Sequence, residues 1–198
     1  YVIIGYNSDI AWGLTNMGPD VQDLFIEKIN PGNENQYQVD DEWIDMQRTT
    51  EIIEVAGSDP IVIEVRETHH GPIVSDRSFP INLSSDEGES TFREEARIDL
   101  PDNFAVSLSW SALIPGETFV GIREFNYASN WEEFREATKK FHVPAQNLLY
   151  ADRDGNIGYQ SPGKLPIRRD GLHGDLPIEG WLSENDWQGF VDFEELPY

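Results

Sequence analysis

The chain has 198 residues, of which 38% are hydrophobic and 12% aromatic, so it can build a packed core of ordinary globular size. It carries 14 Lys and Arg against 37 Asp and Glu, a net charge of −23, and this excludes the basic patch that nucleic acid or an anionic membrane surface requires. It contains no Cys, which excludes disulfides, thiolate metal sites and cysteine nucleophiles.

The acidic residues are spread along the whole chain and not gathered in a tail. A surface of one sign repels itself in dilute salt, whereas at 1 M salt the Debye length falls to about 3 Å and the repulsion is screened. We therefore expect a source that lives at high salt, with a generic acidic protein as the alternative.

The first 81 residues have the pattern of antiparallel strands. Two apolar runs flank the Asn7–Asp9 turn and predict a hairpin over residues 1–16. Residues 24–81 continue in extended segments, broken by a Pro-Gly-Asn loop at 31–33. The polar and acidic stretch 83–103 predicts a long surface excursion before a strand at 104–110.

One helix and one further hairpin are predicted in the second half. Ser129 precedes Glu132 by three residues, the spacing of a capping box, and apolar residues follow at helical intervals until the chain reaches Pro144. The Asp-Gly pair within residues 152–156 predicts a hairpin turn. The Gly- and Pro-rich stretch 161–198 predicts loops with short strands, and residues 1–198 are expected to form a single segment with no linker between two cores.

Three groups of residues are candidates for chemistry. His69 and His70 are adjacent, but neighbours on a strand point to opposite faces, so the spacing argues against a zinc site. The segment 152–156 begins like a calcium loop without the closing Glu, which favours a turn. Asp20 and Asp23 form a second carboxylate pair, for which an N-cap or solvated-loop role is the alternative to calcium.

A nucleophile is harder to find than an oxyanion donor. No Ser stands in a Gly-x-Ser-x-Gly elbow. Asn147 begins an apolar strand, and its side-chain amide could stabilise an oxyanion, although a strand-start turn residue is the simpler interpretation.

Together, six segments resemble the middle of the beta subunit of the penicillin acylase family, the penicillin amidase and acyl-homoserine-lactone acylase group of N-terminal-nucleophile hydrolases. The segments, in the family's order, are Asp9–Asn16, Asp20–Asp23, Thr68–Ile73, Gln146–Asp152, Gly155–Tyr159 and Trp187–Phe190.

The resemblance implies an α+β fold, an antiparallel-sheet-rich segment of an αββα sandwich, and an enzyme that cleaves linear amides. In this family an N-terminal Ser attacks the amide with its own α-amine as general base. The oxyanion is held by the backbone N–H at the position of Asn16 and by the side-chain amide at Asn147. The Arg that orients the catalytic groups matches Arg168, with Arg169 as the other candidate.

The resemblance also implies a structural calcium ion, with Asp20, the carbonyl of Gln22 and Asp23 as part of its shell. No organic cofactor is expected. The expected partners are a small-molecule amide substrate and the remaining alpha and beta segments of the parent enzyme. Relatives are often extracytoplasmic, but the sequence itself assigns no location.

The nucleophile of the family lies upstream of the hairpin at residues 1–16, and Tyr1 does not match it. We therefore expect this chain to be an internal fragment that is inactive by itself and that self-associates through exposed apolar faces. The alternative is a non-catalytic, β-rich binding module on the same scaffold.

The charge pattern predicts that salt stabilises the protein. The free energy of unfolding, measured by urea denaturation, should rise as KCl is increased from low concentration to about 1 M, because the ions screen the acidic surface. Sucrose serves as the control, since it stabilises by exclusion without screening charge. Maximal stability in low salt would contradict the high-salt expectation.

Overall fold

The computed structural model describes residues 1–76, 78–79, 90–91 and 100–198. They form two compact units, each assembled from separated stretches of chain. Unit 1 comprises residues 1–21, 110–168 and 187–198, and unit 2 comprises residues 22–109 and 169–186. No helix among the described residues has the length and apolarity needed to cross a bilayer.

The strands are β1 (Gly5–Tyr6), β2 (Ile10–Asn16), β3 (Gln22–Asn30), β4 (Asn33–Val39), β5 (Glu42–Asp45), β6 (Gln47–Ile53), β7 (Ile61–Glu67), β8 (Ser78–Phe79), β9 (Ser90–Thr91), β10 (Phe104–Trp110), β11 (Gln146–Asp152), β12 (Ile157–Gln160) and β13 (Ile178–Glu179). The helices are α1 (Thr118–Phe125) and α2 (Trp131–Thr138), with single 3₁₀ turns at Ser111–Leu113, Ser183–Asn185 and Phe193–Glu195.

Unit 1 is built on an antiparallel sheet of four strands in the order β1-β2-β11-β12. Alternation along the strands turns Ile10, Trp12, Leu148 and Tyr150 inward. The two helices cover these side chains with aromatic residues, and the ring of Trp12 meets Phe125 edge-on at a centroid distance of 5.7 Å. The remaining buried members of this core are Ala128, Phe134, Ala137 and Phe141.

Both hairpins predicted in this unit are confirmed. The first turn is closed by the Asn7 side chain, which accepts hydrogen bonds from the backbone N–H groups of Asp9 (2.8 Å) and Ile10 (2.9 Å). The second turn is closed by Asp152, whose carboxylate accepts from the N–H groups of Asp154 and Asn156. The carboxylate therefore serves the turn, as the hairpin interpretation requires.

The helix predicted after residue 129 is confirmed, but its cap lies one residue later. Asn130 is the N-cap, and its side chain accepts from the Glu133 N–H at 2.9 Å. Ser129 instead donates its N–H and its hydroxyl to the Glu133 carboxylate. Helix α1 was not predicted, because its N-cap residue, Glu117, makes no side-chain capping bond and only Gly121 and Phe125 of the helix are buried.

Unit 2 contains a five-stranded sheet in which β10, β3, β4 and β5 follow one another and β13 pairs with β3 in parallel. Along β3 the buried positions alternate, and they place Asp23, Phe25, Glu27 and Ile29 on the inner face. Of the extended stretch predicted over 24–81, the part up to residue 67 is confirmed as β3–β7, while residues 77, 80 and 81 lie outside the described residues. Strand β10 coincides with the strand predicted at 104–110. Most of the excursion predicted at 83–103 lies outside the described residues.

The turn after β7 requires glycine. Thr68 and Gly71 exchange backbone hydrogen bonds of 3.0 and 3.2 Å, and Gly71 has a φ of 139°. A Cβ added to Gly71 would lie 2.2 Å from the carbonyl oxygen of Leu108. The close approach of β10 therefore leaves no room for a side chain.

Gly71→Ala should consequently destabilise the protein strongly, and urea denaturation measures the effect. The left-handed φ alone costs about 1–3 kcal/mol, and the clash with Leu108 adds to it. Gly57→Ala is the matched control, because Gly57 also has a positive φ of 83° but nothing within 4 Å of its added Cβ. Equal losses for the two variants would contradict the steric argument.

Candidate functional site

Asn16 and Asn147 lie side by side although 130 residues separate them. Strand β2 pairs with β11 in an antiparallel register that sets Asn16 opposite Gln146 and Thr15 opposite Asn147. The Gln146 side chain donates to the Asn16 side-chain oxygen at 3.0 Å. The two residues that the resemblance assigns to the oxyanion are thus neighbours on paired strands.

The side chain of Asn147 is held at both ends. Its Nδ2 donates to the Thr15 hydroxyl and to the Asn16 carbonyl, each at 3.2 Å. Its Oδ1 accepts from the Tyr159 hydroxyl at 2.6 Å. These partners orient the amide with its N–H groups toward β2, and the two bonds from Nδ2 are long enough to be exchanged for a stronger acceptor.

Tyr159 was missed as a site residue, although the sequence carried a signal for it. The Asp-Gly turn fixes the register of β11 with β12, and this register sets Tyr159 opposite Leu149. Because residues two apart on a strand share a face, Tyr159 is a diagonal neighbour of Asn147 on that face.

The backbone N–H of Asn16 points away from β11. In this ladder the hydrogen-bonded pairs include Met17 with Ala145 and Asp9 with Arg153. Antiparallel pairs alternate between bonded and non-bonded, so Asn16 falls at a non-bonded position and its N–H faces the β1 side of the strand. Strand β1 pairs only with Ala11 and Trp12, which leaves this donor outside the β1 ladder.

Arg168 holds one of the predicted calcium ligands. Its Nη2 lies 3.4 Å from Asp20 Oδ2 and also donates to the Asp20 carbonyl at 3.3 Å. Arg168 belongs to the same unit as Asn16 and Asn147, whereas Arg169 belongs to unit 2 and pairs with Glu184. The match to the Arg that the resemblance implies stays a prediction for Arg168, with Arg169 as the other candidate.

The predicted calcium ligands fall in two units. Asp20 lies in unit 1, while Gln22 and Asp23 begin β3 in unit 2, where Asp23 is buried. Carboxylate and carbonyl oxygens are the donors that Ca²⁺ prefers, but the ion takes about six to eight of them. These three residues supply only some of the oxygen ligands that a complete calcium site needs. Calcium stays a prediction for this chain.

The sequence predicted that His69 and His70 point to opposite faces, and this prediction is wrong. Strand β7 ends at Glu67, so both residues lie in the turn that follows and strand alternation does not apply to them. Their rings are 3.8 Å apart between centroids. Both Nε2 atoms face the same carboxylate oxygen, Asp186 Oδ1, at 3.3 Å for His69 and 3.0 Å for His70.

A buried carboxylate supports this turn. Glu27 Oε1 contacts His70 Nδ1 at 2.9 Å and accepts from the hydroxyls of Thr68 (2.8 Å) and Ser107 (2.7 Å). Burial by itself would raise the pKa of Glu27, but the bonds and positive charge of His70, together with the two hydroxyls, outweigh it and lower the pKa. Burial likewise opposes the charge on His70, but Asp186 and Glu27 outweigh it and raise the pKa of His70.

Glu27 and Asp186 were not predicted as site residues. Glu27 did carry a signal, since it occupies an inward position of β3 between Phe25 and Ile29, where a charged side chain needs a partner. Asp186 carried none, because only the tertiary fold brings it to the two His residues.

Comparison with known proteins places these features in a family. The structure matches that of a thermostable penicillin G acylase from Alcaligenes faecalis with a TM-score of 0.75 and 28% identity, over 99% of this chain and 31% of that one. The predicted fold class is thereby confirmed: the chain is an antiparallel-sheet-rich α+β segment of an N-terminal-nucleophile hydrolase fold.

The family model described as penicillin amidase matches residues 1–198, and the chain belongs to this family. An acyl-homoserine lactone acylase QuiP from Pseudomonas fluorescens Pf-5 is 32% identical over 198 residues, which are 100% of this chain and 22% of the relative. Penicillin G acylase from Escherichia coli is 29% identical over 197 residues, 99% of this chain and 20% of the relative. The chain thus spans about a fifth of the length of these curated relatives.

The buried position of Glu27 predicts a large effect on stability. Glu27→Gln should lower the free energy of unfolding by about 3–5 kcal/mol, because it removes one partner of a buried charged pair. Glu64→Gln is the matched control in the same unit, since Glu64 pairs with Arg48 at 3.3 Å on the surface, where such pairs contribute about 1 kcal/mol or less. Urea denaturation measures both, and similar losses would contradict the role given to burial.

Proposed function

We propose that the protein containing this chain is an amidohydrolase that cleaves linear amides, by deacylation of penicillins or other N-acyl amides, through an acyl-enzyme on an N-terminal Ser upstream of Tyr1. The observation that carries the proposal is the adjacency of Asn16 and Asn147 on the paired strands β2 and β11, where Asn147 Nδ2 donates to the Asn16 carbonyl at 3.2 Å, in a chain of the penicillin amidase family. The names of the relatives, acyl-homoserine lactone acylase and penicillin G acylase, support the reaction type.

The two Asn residues would act on the charge that develops during the reaction. Attack of the Ser oxygen on the amide carbonyl forms a tetrahedral intermediate with a negative oxygen, which collapses to an ester on the Ser and releases the amine. Water then hydrolyses the ester and releases the acid. The Asn16 N–H lies outside the β1 ladder and the Asn147 amide is oriented by Tyr159, so both are suited to donate to that oxygen.

The proposal gives Tyr159 a positioning role. Its hydroxyl donates to Asn147 Oδ1 at 2.6 Å, which fixes the amide orientation and strengthens the donor character of Nδ2. Arg168 remains the proposed positioning Arg. Calcium, if bound near Asp20 and Asp23, would serve the structure and take no part in bond cleavage.

The processing step is tested first on the full-length protein purified in high salt. Intact mass and N-terminal sequencing should find two chains, the larger beginning with Ser upstream of the Tyr1 position, together with release of amine from an N-acyl amide. A single unprocessed chain without turnover would overturn the proposal and favour the non-catalytic binding module.

Asn147→Ala should lower kcat by about 10²- to 10³-fold, the usual cost of one oxyanion donor. Tyr159→Phe should lower it by about tenfold, because it removes one hydrogen bond from the orienting network. Asn33→Ala, at the exposed start of β4 in unit 2, is the control and should leave kcat unchanged. Full activity of the Asn147 variant would contradict its role as a donor.

A further inference from the structure

We propose that His69, His70 and Asp186 form a binding site for a divalent transition metal of the zinc class in unit 2. One ring nitrogen of each His and one carboxylate oxygen of Asp186 lie within 4.8 Å of one another. This set of two imidazoles and one carboxylate is a donor set that zinc takes in proteins. These three residues belong to unit 2, whereas Asn16 and Asn147 belong to unit 1.

The spacing of the donor atoms suits a zinc ion. Bonds of about 2.0–2.1 Å at tetrahedral angles place neighbouring ligand atoms about 3.3 Å apart. Asp186 Oδ1 lies 3.3 Å from His69 Nε2 and 3.0 Å from His70 Nε2. The ligand atoms therefore need only small shifts to surround an ion.

Each His also has the supporting partner that metal-binding His residues use. The Nδ1 of His70 lies 2.9 Å from the buried carboxylate of Glu27, and the Nδ1 of His69 lies 3.1 Å from the Tyr37 hydroxyl. When Nδ1–H donates to such a partner, the lone pair of Nε2 is left for the metal. Both Nε2 atoms then face Asp186 as ligands.

The rings are held in place by packing. His70 stacks on Phe25 with a centroid distance of 3.7 Å and an angle of 5° between the planes. The N–H of His69 also donates to the Tyr37 hydroxyl at 3.1 Å. Such preorganisation reduces the entropy that is lost when a ligand binds.

An ion can reach the site from solvent. The side chains of His69 and Asp186 are 33% and 35% exposed, while that of His70 is 4% exposed. A fourth ligand position on the exposed side would hold water. On binding, the ion replaces the proton between Nε2 and Asp186 Oδ1, and this proton is released to solvent.

The test is a titration of the full-length protein with Co²⁺ and Zn²⁺ after treatment with a chelator. Excess Ca²⁺ is present throughout to saturate oxygen-only sites, because Ca²⁺ competes poorly for imidazole ligands. We expect one Co²⁺ per chain, visible as d–d absorption bands of a site with nitrogen ligands, and displacement of the Co²⁺ by Zn²⁺.

Variants assign the binding to these residues. His69→Ala and Asp186→Asn should each abolish the d–d bands. Because both substitutions change partly exposed side chains, the variants should remain folded, and far-UV circular dichroism checks this. Tyr37→Phe should weaken the affinity by about 10- to 100-fold through the loss of the partner of His69. His173→Ala, which removes an exposed His of the same unit, should bind as tightly as the unchanged protein.

Two results would overturn the proposal. One is the absence of d–d bands in the unchanged protein. The other is equal affinity in the His69→Ala, Asp186→Asn and His173→Ala variants, which would mean that the metal binds elsewhere. Neither result depends on amide hydrolysis, so this proposal and the proposed function can fail independently.

Discussion

The antiparallel pairing of β2 with β11 is the interaction on which the candidate active site depends. It fixes the register that sets Asn147 opposite Thr15, and through the alternation of the ladder it also fixes the direction of the Asn16 N–H. The inward residues of the same two strands build the aromatic core under the helices. A slip of one residue in the pairing register would turn the core side chains outward and carry Asn147 to the opposite face of the sheet. The register that packs the core of unit 1 therefore also places the two donors.

A buried carboxylate has the corresponding role in unit 2. Glu27 is fully buried and contacts a His and a hydroxyl from the turn after β7 and a second hydroxyl from β10. An unpaired charge at this depth would be costly, and the partners therefore have to be assembled together. The turn at Gly71, which packs against Leu108, brings these partners together. It returns the chain toward β10 and places the His70 ring in contact with the Glu27 carboxylate. The convergence of both His rings on Asp186 follows from the same turn.

Local sequence patterns predicted the local structure of this protein, but they did not predict which distant residues meet in the fold. The Asp-Gly turn, the capping residues and the alternation of β3 act over a few residues, so the hairpins, helix α2 and most strands could be predicted, with the cap displaced from Ser129 to Asn130. Helix α1 lacks such a signal. The meeting of Asn16 with Asn147 joins distant segments, and only the family resemblance indicated it. His69 and His70 were misjudged because β7 ends at Glu67, and the end of a strand is the least predictable part of it.

The length of chain between β2 and β11 also bears on how the protein is made. Synthesis proceeds at about 5–20 residues per second, so β2 leaves the ribosome on the order of ten seconds before its partner strand exists. During that interval Ile10 and Trp12, which the finished sheet buries, have no cover from β11 or from the helices. Contacts of such long sequence separation close slowly. The nascent chain therefore exposes an apolar, unpaired β2 strand early in synthesis. A chaperone that covers this strand until β11 emerges should raise the yield of folded protein.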